Sequence, residues 1–133
     1  MKLSSEEQSL STYIFQTVGT SILEAIKATV REKTEVIYEE FPSFETLAKN
    51  NFSFTIIAIG ELPYAECGGD NNGTELINAV SDKFPTVVIL ISGWPLVIQP
   101  EVLQKTEAFV AAFLPGTEGT GITDVLFGDY DFR

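Results

Sequence analysis

The side chains able to do chemistry in this chain are carboxylates and aromatic rings, and they gather in glycine-rich stretches. Glu61, Tyr64, Glu66, Cys67 and Asp70 fall within residues 60–71, Trp94 follows Ser92-Gly93, and Glu118 lies in Leu114-Pro115-Gly116-Thr117-Glu118-Gly119. Carboxylates beside exposed rings suit a sugar: the ring stacks on the apolar face of a pyranose while the carboxylates accept from its hydroxyls. Other chemistries are excluded by what is missing. The chain has no His, so it can build neither a Ser–His–Asp triad, nor a Cys–His pair, nor a His-containing zinc site. Its one cysteine, Cys67, cannot close an internal disulfide or complete a Cys₄ cluster, and no basic neighbour lowers its pKa. With 8 basic against 19 acidic residues and a net charge of −11, the clustered basic surface of a phosphate-backbone binder is absent, so no nucleic acid partner is expected. No cofactor and no metal are expected either.

Each candidate also has a plain structural reading. Glu66 is then a solvated loop carboxylate, and Glu61, just after a strand, serves to accept from loop N–H groups. Asp70 orders its loop through an Asx-type turn. Trp94 either stacks on a sugar or covers an apolar surface, and the second reading is preferred. Residues 115–121 pass superficially for a phosphate-cradling loop before a helix, but they lack the lysine and the full glycine spacing of such loops. Their glycines are expected instead to permit close packing of a helix on a sheet.

These stretches need elements to position them. Ser4-x-x-Glu7 has the form of a capping box, and Leu10, Tyr13, Ile14 and Val18 follow at helical spacing before Gly19 breaks the segment. Ile22, Leu23, Ile26 and Val30 mark an amphipathic helix whose other face carries Glu24, Lys27 and Arg31. Thr34–Tyr38 reads as a short strand and Ser43–Lys49 as a short helix. Phe54–Ile59 and Thr86–Ile91 are nearly continuous apolar strands, as in a sheet covered on both faces, and Ala108–Phe113 reads as a third buried strand. Thr74–Phe84, Glu101–Lys105 and Gly119–Phe127 read as helical. Strands alternating with helices predict one α/β domain, a three-layer α/β/α sandwich with a mostly parallel sheet. The three glycine-rich loops would then leave the carboxyl ends of the strands and share one rim, where open α/β sheets bind ligands.

The loops resemble those of a known family. Gly60-Glu61-Leu62-Pro63-Tyr64-Ala65-Glu66, then Gly69-Asp70-Asn71, Ile91-Ser92-Gly93, Leu114–Gly119 and Leu126-Phe127-Gly128-Asp129-Tyr130 resemble the second domain of family 3 glycoside hydrolases, most closely the plant β-D-glucan exohydrolases. The stretch Gly19–Ala28 is similar to the start of a helix in that domain, so the likeness covers residues 19–130 in consistent order, with residues 1–18 an N-terminal helix or replacement segment. In that family an α/β sandwich packs on a (β/α)₈ barrel, and each domain contributes one carboxylate to retaining hydrolysis. The resemblance assigns Glu66 the catalytic acid/base position, while the pattern of rings and carboxylates on the rim makes Tyr64, Asp70, Trp94 and Glu118 the candidate substrate contacts. It places the nucleophile, an Asp, in a barrel of about 250 residues that 133 residues cannot hold.

The sequence also departs from the family. Ser92-Gly93-Trp94-Pro95 stands where the family has Ser-Gly-Arg-Pro, exchanging a planar charged fork for an apolar face. A chain of this kind is expected to be a stand-alone or truncated relative of the second domain, not catalytic by itself. The alternatives are a β-glucosidase subunit supplying Glu66, or a carbohydrate-binding module for a β-glucan or oligosaccharide. Apolar groups at the uncovered barrel-facing surface, including Trp94, Phe113 and Leu114, would favour a homodimer or a barrel-domain partner. Met1-Lys2-Leu3 runs at once into Ser4-Ser5-Glu6-Glu7, where a secretory leader needs an apolar run, so no leader is expected, although family relatives are commonly secreted. Apolar runs such as Val87–Ile91 are too short for a membrane span, and no membrane association is expected. Two sequons, Asn51-Phe52-Ser53 and Asn72-Gly73-Thr74, matter only in a secreted protein.

Overall fold

A computed structural model describes residues 18–60, 72–93, 95 and 97–132. The described chain forms two compact units, one from residues 39–114 and one from residues 18–38 with 115–132.

The contiguous unit is built on three strands, β1 (Thr55–Gly60), β2 (Thr86–Ile91) and β3 (Ala108–Phe113), in spatial order β1-β2-β3 and all parallel. Their β-branched content favours the pleated conformation. Parallel neighbours need crossover connections, and these are α3 (Asn72–Ser81) between β1 and β2 and α4 (Pro100–Lys105) between β2 and β3. When sequential strands step in one direction, right-handed crossovers place both helices on the same face, and α3 and α4 accordingly touch each other. The register sets Ile57 beside Val88 and Val88 beside Phe109. That row meets Ile77 and Val80 of α3, Val102 of α4, and Leu47 of a short helix, α2 (Phe44–Lys49), in one core. Phe84 closes it, with the Phe52 ring edge-on at 5.2 Å and 75°. Thr86, wholly buried, keeps its hydroxyl satisfied by donating to the Phe84 carbonyl at 2.8 Å and pairing with the Thr55 hydroxyl at 2.7 Å. Lys105 on α4 pairs with Asp82 just past α3, at 2.8 Å.

The fold is therefore α/β with a parallel sheet, as the alternation of elements predicts. Buried positions run from Thr86 to Leu90, the pattern of a strand covered on both faces. The outer strands depart from that expectation. In β1 only Ile57 is buried and Ala58 is exposed, and no residue of β3 is fully buried, because each lacks a neighbouring strand on one side among the described residues. The expected strand at Thr34–Tyr38 is also corrected. Those residues are irregular, with Ile37 and Tyr38 exposed, because β-forming side chains make no strand without a ladder to join. The expected capping box at Ser4 and most of the helix after it lie outside the described residues, while Val18 is irregular and exposed.

The second unit pairs α1 (Ile22–Thr29) with α5 (Gly119–Leu126). Ahead of both helices the chains cross at backbone contact. Thr20 N–H donates to the Thr117 carbonyl and Gly119 N–H to the Thr20 carbonyl, each at 2.9 Å, making a parallel bridge between Thr20 and Glu118. A Cβ on Gly119 would lie 2.5 Å from the Ser21 carbonyl carbon and the Thr20 oxygen. Glycine in residues 115–121 thus serves close approach, as expected, but to the backbone before α1.

Ser21 caps α1 with a full capping box: Glu24 N–H donates to the Ser21 hydroxyl at 3.2 Å, and the Ser21 N–H and hydroxyl each donate to the Glu24 carboxylate at 2.9 Å. The Ser21 backbone and then its hydroxyl hold the Glu24 carboxyl below its ordinary range. A depressed carboxylate stabilises the fold above its unfolded-state pKa and loses that contribution as pH falls through the folded value. Glu24→Gln is thus expected to lower the urea midpoint at pH 7 and to leave it unchanged in acid well below the carboxylate range. An equal loss at both pH values would contradict the assigned cause.

Candidate active site

All three strands run in parallel, so their carboxyl ends lie along one edge. Gly60, Ile91 and Phe113 stand side by side there, paired in register. Three loop departures therefore share a rim, as expected for an open α/β sheet. The first leaves at Gly60 and returns at Asn72, where α3 begins. Its start is tight, since a Cβ on Gly60 would sit 3.3 Å from the Ile91 carbonyl oxygen. Glu61, Tyr64, Glu66, Cys67 and Asp70 belong to this loop and lie outside the described residues, as does Trp94.

The second departure continues the ladder one step. Ser92 N–H, on a buried residue, donates to the Phe113 carbonyl at 3.1 Å. The third contains the one register irregularity among the described strands. Leu90 pairs with Ala111 but Ile91 pairs with Phe113, so Ala112 is an extra residue and β3 ends in a bulge. Phe113 itself has φ +55°, a left-handed backbone that an aromatic residue rarely adopts. The bulge turns Phe113 and Leu114 outward at the rim, 70% and 72% exposed. Leu114 lies over Gly93, where an added Cβ would come within 3.3 Å of its Cδ1. The run Ala108–Phe113 gives no hint of this, because its composition is that of a regular strand.

Left-handed backbone costs roughly 1–2 kcal/mol for a non-glycine residue, and a new glycine returns up to about 1 kcal/mol through the unfolded chain. Phe113→Gly is therefore expected to stabilise the isolated chain by up to about 1 kcal/mol, measured as a raised urea midpoint. A lowered midpoint would mean that the exposed ring contributes to folding.

Glu118 is the one sequence-predicted site residue within the described chain. It is exposed at the N-cap of α5, its N–H donates to the Pro115 carbonyl at 3.1 Å, and its side chain makes no capping bond. Elsewhere, a shallow depression of about 380 Å³ beside the end of α1 is lined by Lys27, Arg31, Glu32 and Val36 among others. It holds one carboxylate and lacks the pair that acid/base cleavage of an acetal needs. Among the described residues no three Asp, Glu or Cys side chains gather as cation ligands, and no helix is long and apolar enough to cross a membrane.

Parallel strands, crossovers on one face and departures at a single carboxyl edge define the class, an α/β domain. Comparison with known proteins gives the family. The sequence matches the glycosyl hydrolase family 3 C-terminal domain over residues 2–133, and the chain belongs to that family. It is 41% identical over 63 residues to a probable β-glucosidase F of Emericella nidulans, a stretch covering 45% of this chain and 7% of that protein. It is 34% identical over 83 residues to a lysosomal β-glucosidase of Dictyostelium discoideum, covering 56% of this chain and 10% of the relative. A probable β-glucosidase L of Emericella nidulans is 43% identical over 63 residues, 45% of this chain and 8% of that protein. The matched stretches thus span a tenth or less of the length of these relatives.

Proposed function

We propose that this chain is the acid/base half of a retaining β-glucosidase or exo-glucanase site, and that it turns over substrate only beside a (β/α)₈ barrel carrying the nucleophile. Membership of the family across residues 2–133 is the observation that carries this reading. The Gly60 loop, leaving the carboxyl edge of β1, supports Glu66 as the proton donor. In the proposed cycle Glu66 protonates the glycosidic oxygen as the anomeric C–O bond breaks and the barrel carboxylate bonds to the anomeric carbon. Glu66 then takes a proton from the water that releases glucose. Tyr64 and Asp70, on the same loop, contact the substrate beside it. The substrate is the terminal glucose of a β-glucan or oligosaccharide, as in the exohydrolases whose loops these resemble.

The outward Phe113 and Leu114 support a covered rim, since two adjacent exposed apolar side chains on a strained bulge favour burial against a neighbour. The test is complementation. Purified chain mixed with a family 3 barrel domain is assayed on an aryl β-glucoside, with each component alone as control. Turnover confined to the mixture is expected. Equal turnover by the barrel alone would defeat the reading, and so would none in a mixture shown to associate.

A further inference from the structure

We propose that Asn51 is an acceptor for N-linked glycosylation whenever the chain enters a secretory pathway, placed at the edge of the sheet opposite the candidate active site. The tripeptide Asn51-Phe52-Ser53 meets the acceptor rule, with a residue other than proline in the middle. The structure adds what the tripeptide alone lacks. The segment is irregular backbone between α2 and β1, and Phe52 is anchored in the core by its edge-on contact with Phe84. With the middle residue pinned inward, the two residues that the transferase must read, Asn51 and Ser53, are both exposed.

The reacting atom is available as well. The neighbouring Asn50 spends its side-chain N–H on the Thr46 carbonyl at 2.9 Å, closing the end of α2. Asn51 makes no side-chain hydrogen bond among the described residues, so a glycan on its Nδ2 displaces none in the folded chain. The transfer takes an oligosaccharide from a polyprenyl diphosphate donor. Asn51 Nδ2 bonds to C1 of the first N-acetylglucosamine, the C1–oxygen bond to the diphosphate breaks, the polyprenyl diphosphate leaves with the electron pair, and the amide proton passes to a base of the transferase.

Position gives the modification a consequence. Asn51 precedes β1, so it lies at the amino edge of the sheet, about 20 Å along the strand direction from the carboxyl rim. A glycan there leaves the rim open.

The full chain, led into the secretory pathway of a eukaryotic host, is analysed by peptide mass spectrometry before and after peptide N-glycosidase. A glycan on the peptide containing Asn51 is expected, retained in Asn72→Gln and lost in Asn51→Gln and in Ser53→Ala. Loss of the same glycan in Ser53→Ala guards against a folding artefact of the Asn51 change, since Ser53→Thr keeps the acceptor rule and is expected to keep the glycan. Secreted chain with Asn51 unmodified, whatever the state of Asn72, would overturn the assignment.

Discussion

Gly119→Ala is expected to lower stability by about 3 kcal/mol, seen as a large drop in the urea midpoint at an unchanged slope. The added Cβ meets backbone on its near side, 2.5 Å from the Ser21 carbonyl carbon and the Thr20 oxygen. A flexible side chain would swing away, but this backbone is fixed. The Thr20 carbonyl accepts from Gly119 itself, and Thr20 N–H donates to Thr117. Relieving the clash therefore means breaking the bridge that joins the two stretches and parting α1 from α5, where Ala25 and Thr123 are buried. Gly121, two residues on, is the control. A Cβ there meets nothing within 4 Å, so Gly121→Ala in the same helix is expected to stabilise by about 0.5–1 kcal/mol. Two glycine-to-alanine changes in one turn should move the midpoint in opposite directions. A Gly119→Ala midpoint within error of the parent would show that the backbones do not cross this closely.

The second large effect concerns turnover. In the complemented enzyme, Glu66→Gln is expected to lower kcat by 10²–10⁴-fold on substrates with a poor leaving group, the typical range for losing a general acid. The loss should shrink for aryl glucosides whose leaving phenolate needs little protonation. It should also shrink when azide is added, because a small anion attacks the glycosyl intermediate without base assistance. These two signatures separate a proton donor from a residue that only shapes the loop. A uniform loss across leaving groups, insensitive to azide, would reassign Glu66 to a structural role while leaving complementation intact.

How far the sequence alone reaches differs from element to element. The starts of β2 and β3 are legible because Thr86–Ile91 and Ala108–Phe113 are short apolar runs preceded by Pro85 and Glu107. The helix from Ile22 is legible from its period, although its Ser21-x-x-Glu24 capping box carries a signal as clear as the one at Ser4 and is easily passed over. Thr34–Tyr38 misleads, since propensity states what a segment tolerates and pairing decides what it becomes. Burial in β1 and β3 misleads for the same reason, because an apolar run does not reveal which strand stands in the centre. The alignment of three departures at one edge follows from parallel order, which the alternation of strands and helices encodes. The bulge at Ala112 and the left-handed Phe113 are not encoded in residue type at all. The anchors of the candidate site are legible through the sheet, while its residues, Glu118 apart, lie outside the described chain.

The crossing at Thr20 and Glu118 also sets an order of assembly. The sheet unit is contiguous and can close through crossovers of ordinary length as it is synthesised, each contact lying near its partner in sequence. The helix pair cannot. Residues 18–38 emerge before residues 115–132, so the apolar side of α1 stays without its partner while the residues between are made. The two ends of the described chain are thus tied by the last bonds to form, and the tightest backbone approach among the glycines near them serves as the clasp.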